Sequence, residues 1–222
     1  MKAAVLVFPG SNCDRDIAVA LRQAGADGSM GWHKESALPD GVDLVAIPGG
    51  FSFGDYLRCG AIAAQSPISQ ELKAHVARGG YALGVCNGFQ VLTETGLLPG
   101  ALVQNATTKF ICKVTTLRVE TSDSPFTARY NAGAEIDIPI AHHEGNYRVD
   151  PDGLAALQGE DRVAFRYTAT PNGALDDIAG ILSKNRRVLG MMPHPERASD
   201  PALGLTDGGP LFTSLVEALV AA

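Results

Sequence analysis

A chain of 222 residues with 45% hydrophobic and 19% charged side chains has an ordinary globular balance, and its length suits one α/β domain spanning 1–222. The net charge of −6, with no basic run beyond Arg186-Arg187, argues against nucleic acid as a partner, because a phosphate backbone needs a cationic surface. The four cysteines, Cys13, Cys59, Cys86 and Cys112, are widely spaced without a CxxC pair, which favours reduced thiols and a cytoplasmic setting over a secreted disulfide framework.

The chain opens on Lys2-Ala3-Ala4-Val5-Leu6-Val7-Phe8, which breaks at Pro9-Gly10. That run is too short for a membrane span or a signal-peptide core, and it reads as a buried first strand. Gly10-Ser11-Asn12 reads as a turn, since a single glycine is a weak phosphate signal. Ser11-Asn12-Cys13-Asp14 is expected to cap a first helix, with Ile17, Leu21 and Ala24 on one face before Gly25. Val42 to Ile47 forms a β-branched strand ending at Pro48-Gly49-Gly50, and a long loop over 49–60 follows. Ile68, Leu72 and Val76 mark a helix stopped by Gly79-Gly80. Tyr81 to Val85 is another buried strand, and Asn87 to Thr95 a helix closed by Gly96, so Cys86 falls at a strand-to-helix junction.

Beyond Lys109 the texture changes to longer alternating segments, Lys113 to Glu120 and Glu135 to Ile140, which predict antiparallel additions to a mostly parallel sheet. Residues 178–192 supply two further strands, and Leu211, Leu215, Val216 and Leu219 define an amphipathic terminal helix.

The chemistry concentrates at Cys86. A nucleophile between a strand end and a helix start is held above the sheet, close to helix amides that favour a thiolate. In Gly84-Val85-Cys86-Asn87-Gly88-Phe89-Gln90 the flanking glycines allow the tight backbone such an elbow needs. A buried, inert thiol is the competing reading. Cys13, Cys59 and Cys112 lack the elbow setting and are read as structural or incidental. A thiolate needs a proton carrier, and the carrier needs an acceptor to fix its tautomer. His194, in Met192-Pro193-His194-Pro195-Glu196, follows an apolar run and has Glu196 two residues on. His33 and His75 are expected to be solvated, and His142 and His143, being neighbours, cannot both face one site from a strand. Metal binding through Cys86, His194, Glu196 and His142 carries little weight, since no local pair has zinc-site spacing.

The elbow together with His194-Pro195-Glu196 resembles the class I, triad-type glutamine amidotransferases. The segments Phe8 to Asp14, Pro48 to Arg58, Ala141 to Gly145 and Met192 to Arg197 resemble, within that family, glutaminase subunits that serve an ATP-dependent synthetase of purine synthesis. The resemblance implies a flavodoxin-like α/β fold. It also implies Cys86 as nucleophile, His194 as general base and acid, Glu196 as its orienting group, the amides of Gly50 and Asn87 as oxyanion hole, and Gln90 and His142 as glutamine contacts. By the same resemblance the partners are glutamine, a large synthetase subunit and a small accessory subunit. ATP and magnesium then belong to the synthetase, in keeping with the lack of a Walker-type loop here. A stand-alone γ-glutamyl hydrolase and a catalytically silent scaffold subunit are the alternatives.

Overall fold

The computed structural model describes residues 1–221. In chain order the strands are β1 Lys2–Val7, β2 Asp27–Trp32, β3 Leu44–Ile47, β4 Tyr81–Val85, β5 Ala101–Val103, β6 Ile111–Val119, β7 Glu135–His142, β8 Asn146–Arg148, β9 Val163–Tyr167, β10 Ile178–Leu182 and β11 Val188–Met191. The helices are α1 Asp14–Gln23, α2 Ala61–Ala64, α3 Pro67–Ala77, α4 Asn87–Glu94, α5 Pro151–Gly159 and α6 Gly209–Val220. Nine strands form one sheet in the order β2-β1-β3-β4-β11-β10-β9-β6-β7, and β5 pairs with β8 apart from it.

The first five strands in that order run parallel, and from β11 outward each pairing is antiparallel. The central strands β3, β4, β10 and β11 are nearly continuous apolar runs, buried along their lengths except at Tyr81. That pattern is what a sheet covered on both faces demands. α1 presents Ile17, Ala20 and Leu21 to the core, with acidic Asp14 and Asp16 at its positive end and Arg22 at its negative one. α3 and α5 begin with proline at a position whose N–H would be orphaned anyway, and Asp150 caps α5 by accepting from Gly153 N at 2.6 Å. No helix among the described residues is long and apolar enough to cross a membrane.

Several local expectations need correction. α1 starts after Cys13, and no side chain of 11–14 caps it. The Ser11 hydroxyl instead accepts from Phe8 N at 3.0 Å, and Asn12 Oδ1 accepts from the Cys13 thiol, because this turn is folded back against Gly49 and Gly50. His33 and His75 are both buried rather than solvated. His75 Nε2 reaches the Tyr81 carbonyl at 3.2 Å, which fastens α3 to the start of β4, while the His33 ring packs edge-on between Trp32 and Phe53.

Candidate active site

Parallel strands all end on one edge of a sheet, and ligands of open α/β folds bind there. Four adjacent strands, β1, β3, β4 and β11, deliver their following residues to that edge. After β1 come Asn12 and Cys13, after β3 Gly49 and Gly50, after β4 Cys86, and after β11 His194. The register fixes their heights, since Ile47 and Gly190 both lie opposite Gly84, and Cys86 N donates to the Met191 carbonyl at 2.8 Å.

Cys86 has φ 53° and ψ −107°, a conformation an L-residue holds only when its surroundings over-determine it. The surroundings here are glycines. A Cβ on Gly88 would overlap the Ile47 carbonyl oxygen and sit 2.8 Å from its carbon, and one on Gly84 would sit 2.6 Å from the Gly88 carbonyl oxygen. α4 therefore starts in direct backbone contact with the ends of β3 and β4. The first amides of any α-helix lack intrahelical acceptors, so Cys86, the residue before α4, sits at that helix's positive end, and its thiol donates to the Ala141 carbonyl at 3.6 Å.

His194 is 2% exposed, and its Nδ1 lies 2.6 Å from the fully buried Glu196 Oε1. The carboxylate accepts from Nδ1–H, so Nε2 is the free nitrogen, and it has no hydrogen-bond partner among the described residues. Burial opposes the imidazolium. The Glu196 carboxylate and the neighbouring Cys86 sulfur nevertheless hold His194 well above the ordinary histidine range. Gly49 is the residue that lets these groups meet, because a Cβ there would lie 2.7 Å from His194 Cε1, 3.1 Å from Cys13 Sγ and 3.4 Å from Cys86 Cβ. Cys86, His194, Gly50 and Phe51 share one cavity of about 190 Å³, with Phe51 and Phe110 paired at 6.4 Å between ring centroids.

The other expected residues lie behind that cavity. Asn87 Oδ1 accepts from Ser52 N at 3.3 Å, and its amide nitrogen donates to Gln90 Oε1 at 2.8 Å. Gln90 in turn donates to the Glu144 carbonyl at 2.7 Å. Gln90 thus ties the elbow helix to the segment after β7, and its amide is engaged at both ends. His142 is buried, with Nδ1 3.1 Å from Asn105 Oδ1. That oxygen also accepts from Gly145 N, so His142 Nδ1 is the donor and Nε2 carries a lone pair with no partner among the described residues. Burial, reinforced by the positive charge at His194, lowers His142 to about 4, so it is neutral at neutral pH. His143 points elsewhere, to the Glu144 carboxylate at 2.6 Å.

Two side chains that sequence reasoning set aside or passed over line the cavity. Cys13, read as structural or incidental, sits against His194 and accepts from Arg197 Nη2 at 2.9 Å. Its position in the turn between a parallel strand and the helix that follows was the available signal. Arg197 is the second. Cys13, His194 and Glu196 bring their donor atoms within 4.8 Å of one another, as do Asp55, Cys59 and Glu144. Neither set suits a cation. A guanidinium already occupies the Cys13 sulfur, and the Cys59 thiol, pushed up by burial, keeps its proton and donates it in a hydrogen bond to Glu144 Oε2 at 3.3 Å.

A strained cysteine elbow facing a buried imidazole–carboxylate pair, at the carboxyl edge of a parallel sheet, defines the triad type of glutamine amidotransferase. Residues 1–203 match the CobB/CobQ-like glutamine amidotransferase domain, and the chain belongs to that family. It is 70% identical over 222 residues to the phosphoribosylformylglycinamidine synthase subunit PurQ of Ruegeria pomeroyi, covering all of both chains. It is 56% identical to the same subunit of Rhodospirillum rubrum, over 99% of this chain and 100% of the relative. A chain of the solved PurLQS structure from Thermotoga maritima superposes with a TM-score of 0.91 at 44% identity, over 98% of each chain.

Proposed function

We propose that this chain is the glutaminase subunit of a phosphoribosylformylglycinamidine synthase, with Cys86 as its nucleophile. The observation that carries the reading is the meeting of Cys86, in its positive-φ elbow, with the His194–Glu196 pair in one cavity. The relatives' name supports the particular reaction, and their full-length match supports carrying it to the whole chain.

In this mechanism the Cys86 thiolate adds to the γ-amide carbon of glutamine, and the developing oxyanion is met by the amides of Gly50, which follows β3, and Asn87, which opens α4. His194 delivers its Nε2 proton to the departing nitrogen while Glu196 keeps Nδ1 protonated. Ammonia leaves, a γ-glutamyl thioester remains, and water activated by the same imidazole releases glutamate. Gln90 fixes the elbow helix against 142–145, and neutral His142 offers an acceptor behind the site. The ammonia passes to a large synthetase subunit of the PurL type, which holds ATP and magnesium and converts formylglycinamide ribonucleotide to the amidine, with a small PurS-type subunit completing the complex. The likeness to a chain of the Thermotoga maritima PurLQS structure supports those partners. The reduced, unpaired cysteines support a cytoplasmic setting.

Incubation with a glutamine-like diazo ketone tests this, with the adduct located by mass spectrometry and the experiment repeated in the presence of the synthetase. Labelling at Cys86 and partner-stimulated glutamine hydrolysis are expected. Cys86→Ala should lose glutamine use while the assembled complex keeps ammonia-dependent synthesis. Fast hydrolysis of longer γ-glutamyl peptides by the lone chain would instead indicate a stand-alone hydrolase, and absence of any labelling a silent scaffold.

A further inference from the structure

Glutamine differs from a simple primary amide by its zwitterionic head, and a glutaminase must tell the two apart. If the γ-amide is placed at Cys86, the head faces the outer part of the same cavity. Among the ten residues lining that cavity none is Asp or Glu, and Arg197 is the one permanent cation. We infer that Arg197 binds the α-carboxylate of glutamine and sets the preference for an amino-acid substrate, an inference that rests on the glutaminase reading above.

The placement of Arg197 suits that role. It directly follows Glu196 on the short turn Pro195–Ala198, so the element that orients the His194 partner also orients the guanidinium. Arg197 Nη2 donates to Cys13 Sγ at 2.9 Å, and Nε faces Asp16 Oδ2 at 3.5 Å. Those two contacts fix the plane of the fork and leave the Nη1 edge for an anion. The side chain is 35% exposed, whereas Cys13 is 1% exposed. A buried sulfur thus anchors a cation that opens to the cavity. A guanidinium suits a carboxylate because its paired N–H groups match the two oxygens, which an ammonium cannot reproduce. Cys13 and Asp16 act as positioning residues for it.

A purely structural Arg197, pinning Cys13 beside His194, would affect all amides alike. The test compares hydrolysis of glutamine with that of 4-aminobutanamide, which is glutamine without its α-carboxylate, by the complex assembled with its synthetase. In Arg197→Met, KM for glutamine should rise by roughly 10- to 100-fold with a smaller change in kcat. The ratio of kcat/KM for glutamine over 4-aminobutanamide should collapse toward one. Arg197→Lys should recover part of that ratio, because charge returns without the fork. An unchanged KM, or an equal loss on both amides that keeps the wild-type ratio, overturns the inference while leaving the glutaminase reading in place. Wild-type complex that hydrolyses neither amide removes that reading, and the inference with it.

Discussion

Gly88→Ala is the sharpest perturbation of the elbow, because it adds one methyl group where two backbones touch. The new Cβ would lie 2.8 Å from the Ile47 carbonyl carbon, with the carbonyl oxygen closer still. Carbon atoms pack at about 3.5–4.0 Å, so the start of α4 must retreat from β3 by roughly 1 Å. Overpacking of this kind costs about 1–3 kcal/mol, and each kcal/mol lowers Tm by roughly 2–4 °C in a chain of this size, which places Gly88→Ala about 2–12 °C below wild type. The chemical consequence is larger. The retreat moves Cys86 and the Asn87 amide together, away from His194 and Gly50 on neighbouring strands, and misplacement by about 1 Å costs roughly 10²-fold in rate. Thermal melting and the rate of diazo-ketone labelling at Cys86 read the two effects separately. Gly96→Ala is the control. Gly96 has positive φ, 76°, which Gly88 lacks, but its Cβ would meet no heavy atom within 4 Å, so Gly96→Ala should lose stability through its backbone and keep the labelling rate. Gly88→Ala that melts within about 1 °C of wild type and labels at full rate would refute the claim that close backbone contact holds the elbow.

Glu196→Gln keeps a hydrogen bond to His194 but removes the buried negative charge, so the pH at which the imidazolium loses its proton should fall. Histidine NMR titration in a Cys86→Ala background measures this, and an unmoved midpoint would show that the carboxylate does not hold the proton. Glutamine hydrolysis by Glu196→Gln should drop by about 10²–10⁴-fold in the assembled complex. Stability should carry two opposed pH slopes in one window. His142 is lowered from 6.5 to about 4, so the unfolded chain binds more protons between those values and stability declines as pH falls from about 6.5 toward 4, by at most about 3 kcal/mol. Asp55 is raised from 3.8 to about 6, mainly by burial, so the folded chain holds the extra proton and stability declines as pH rises through the same range. Urea midpoints from pH 4 to 7 should therefore flatten in opposite senses in His142→Gln and Asp55→Asn, and equal slopes in both would contradict the assignments.

The site was more legible than the sheet around it, for a physical reason. Residues 81–96 combine a both-faces-buried strand, a glycine-flanked cysteine and a helix with a glycine stop, and each of these signals is local. β2 carries no such signal. Its sequence Asp27-Gly28-Ser29-Met30-Gly31-Trp32 is polar and mostly exposed, and it becomes a strand only because β1 offers it six parallel partners along an edge. β9 is hidden in another way: its buried run, Val163 to Tyr167, leads into a stretch rich in turn residues, yet it joins β10 to β6 and carries the sheet to its far edge. β11 lies among antiparallel neighbours in sequence but pairs parallel with β4. No property of Val188-Leu189-Gly190-Met191 announces that direction; it follows from where the chain must return.

That direction is what turns separate motifs into a site. An antiparallel β11 would carry His194 to the opposite edge of the sheet from Cys86, however well each local motif were formed. Running parallel to β4 in the register Gly190↔Gly84, it places the Met191 carbonyl on the Cys86 amide, and the chain reaches His194 just beyond. His194 N then donates to the Pro139 carbonyl at 2.8 Å, so the imidazole turn is tied to β7, at the far end of the sheet order, as well as to the elbow. The strain at Cys86 is thus opposed from three sides: by Ile47 through Gly88, by Met191 through the backbone, and by the α4 helix that follows. A positive-φ cysteine costs about 1–3 kcal/mol, less than overpacking and lost hydrogen bonds would together cost if it relaxed, and so the thiol stays raised toward the cavity.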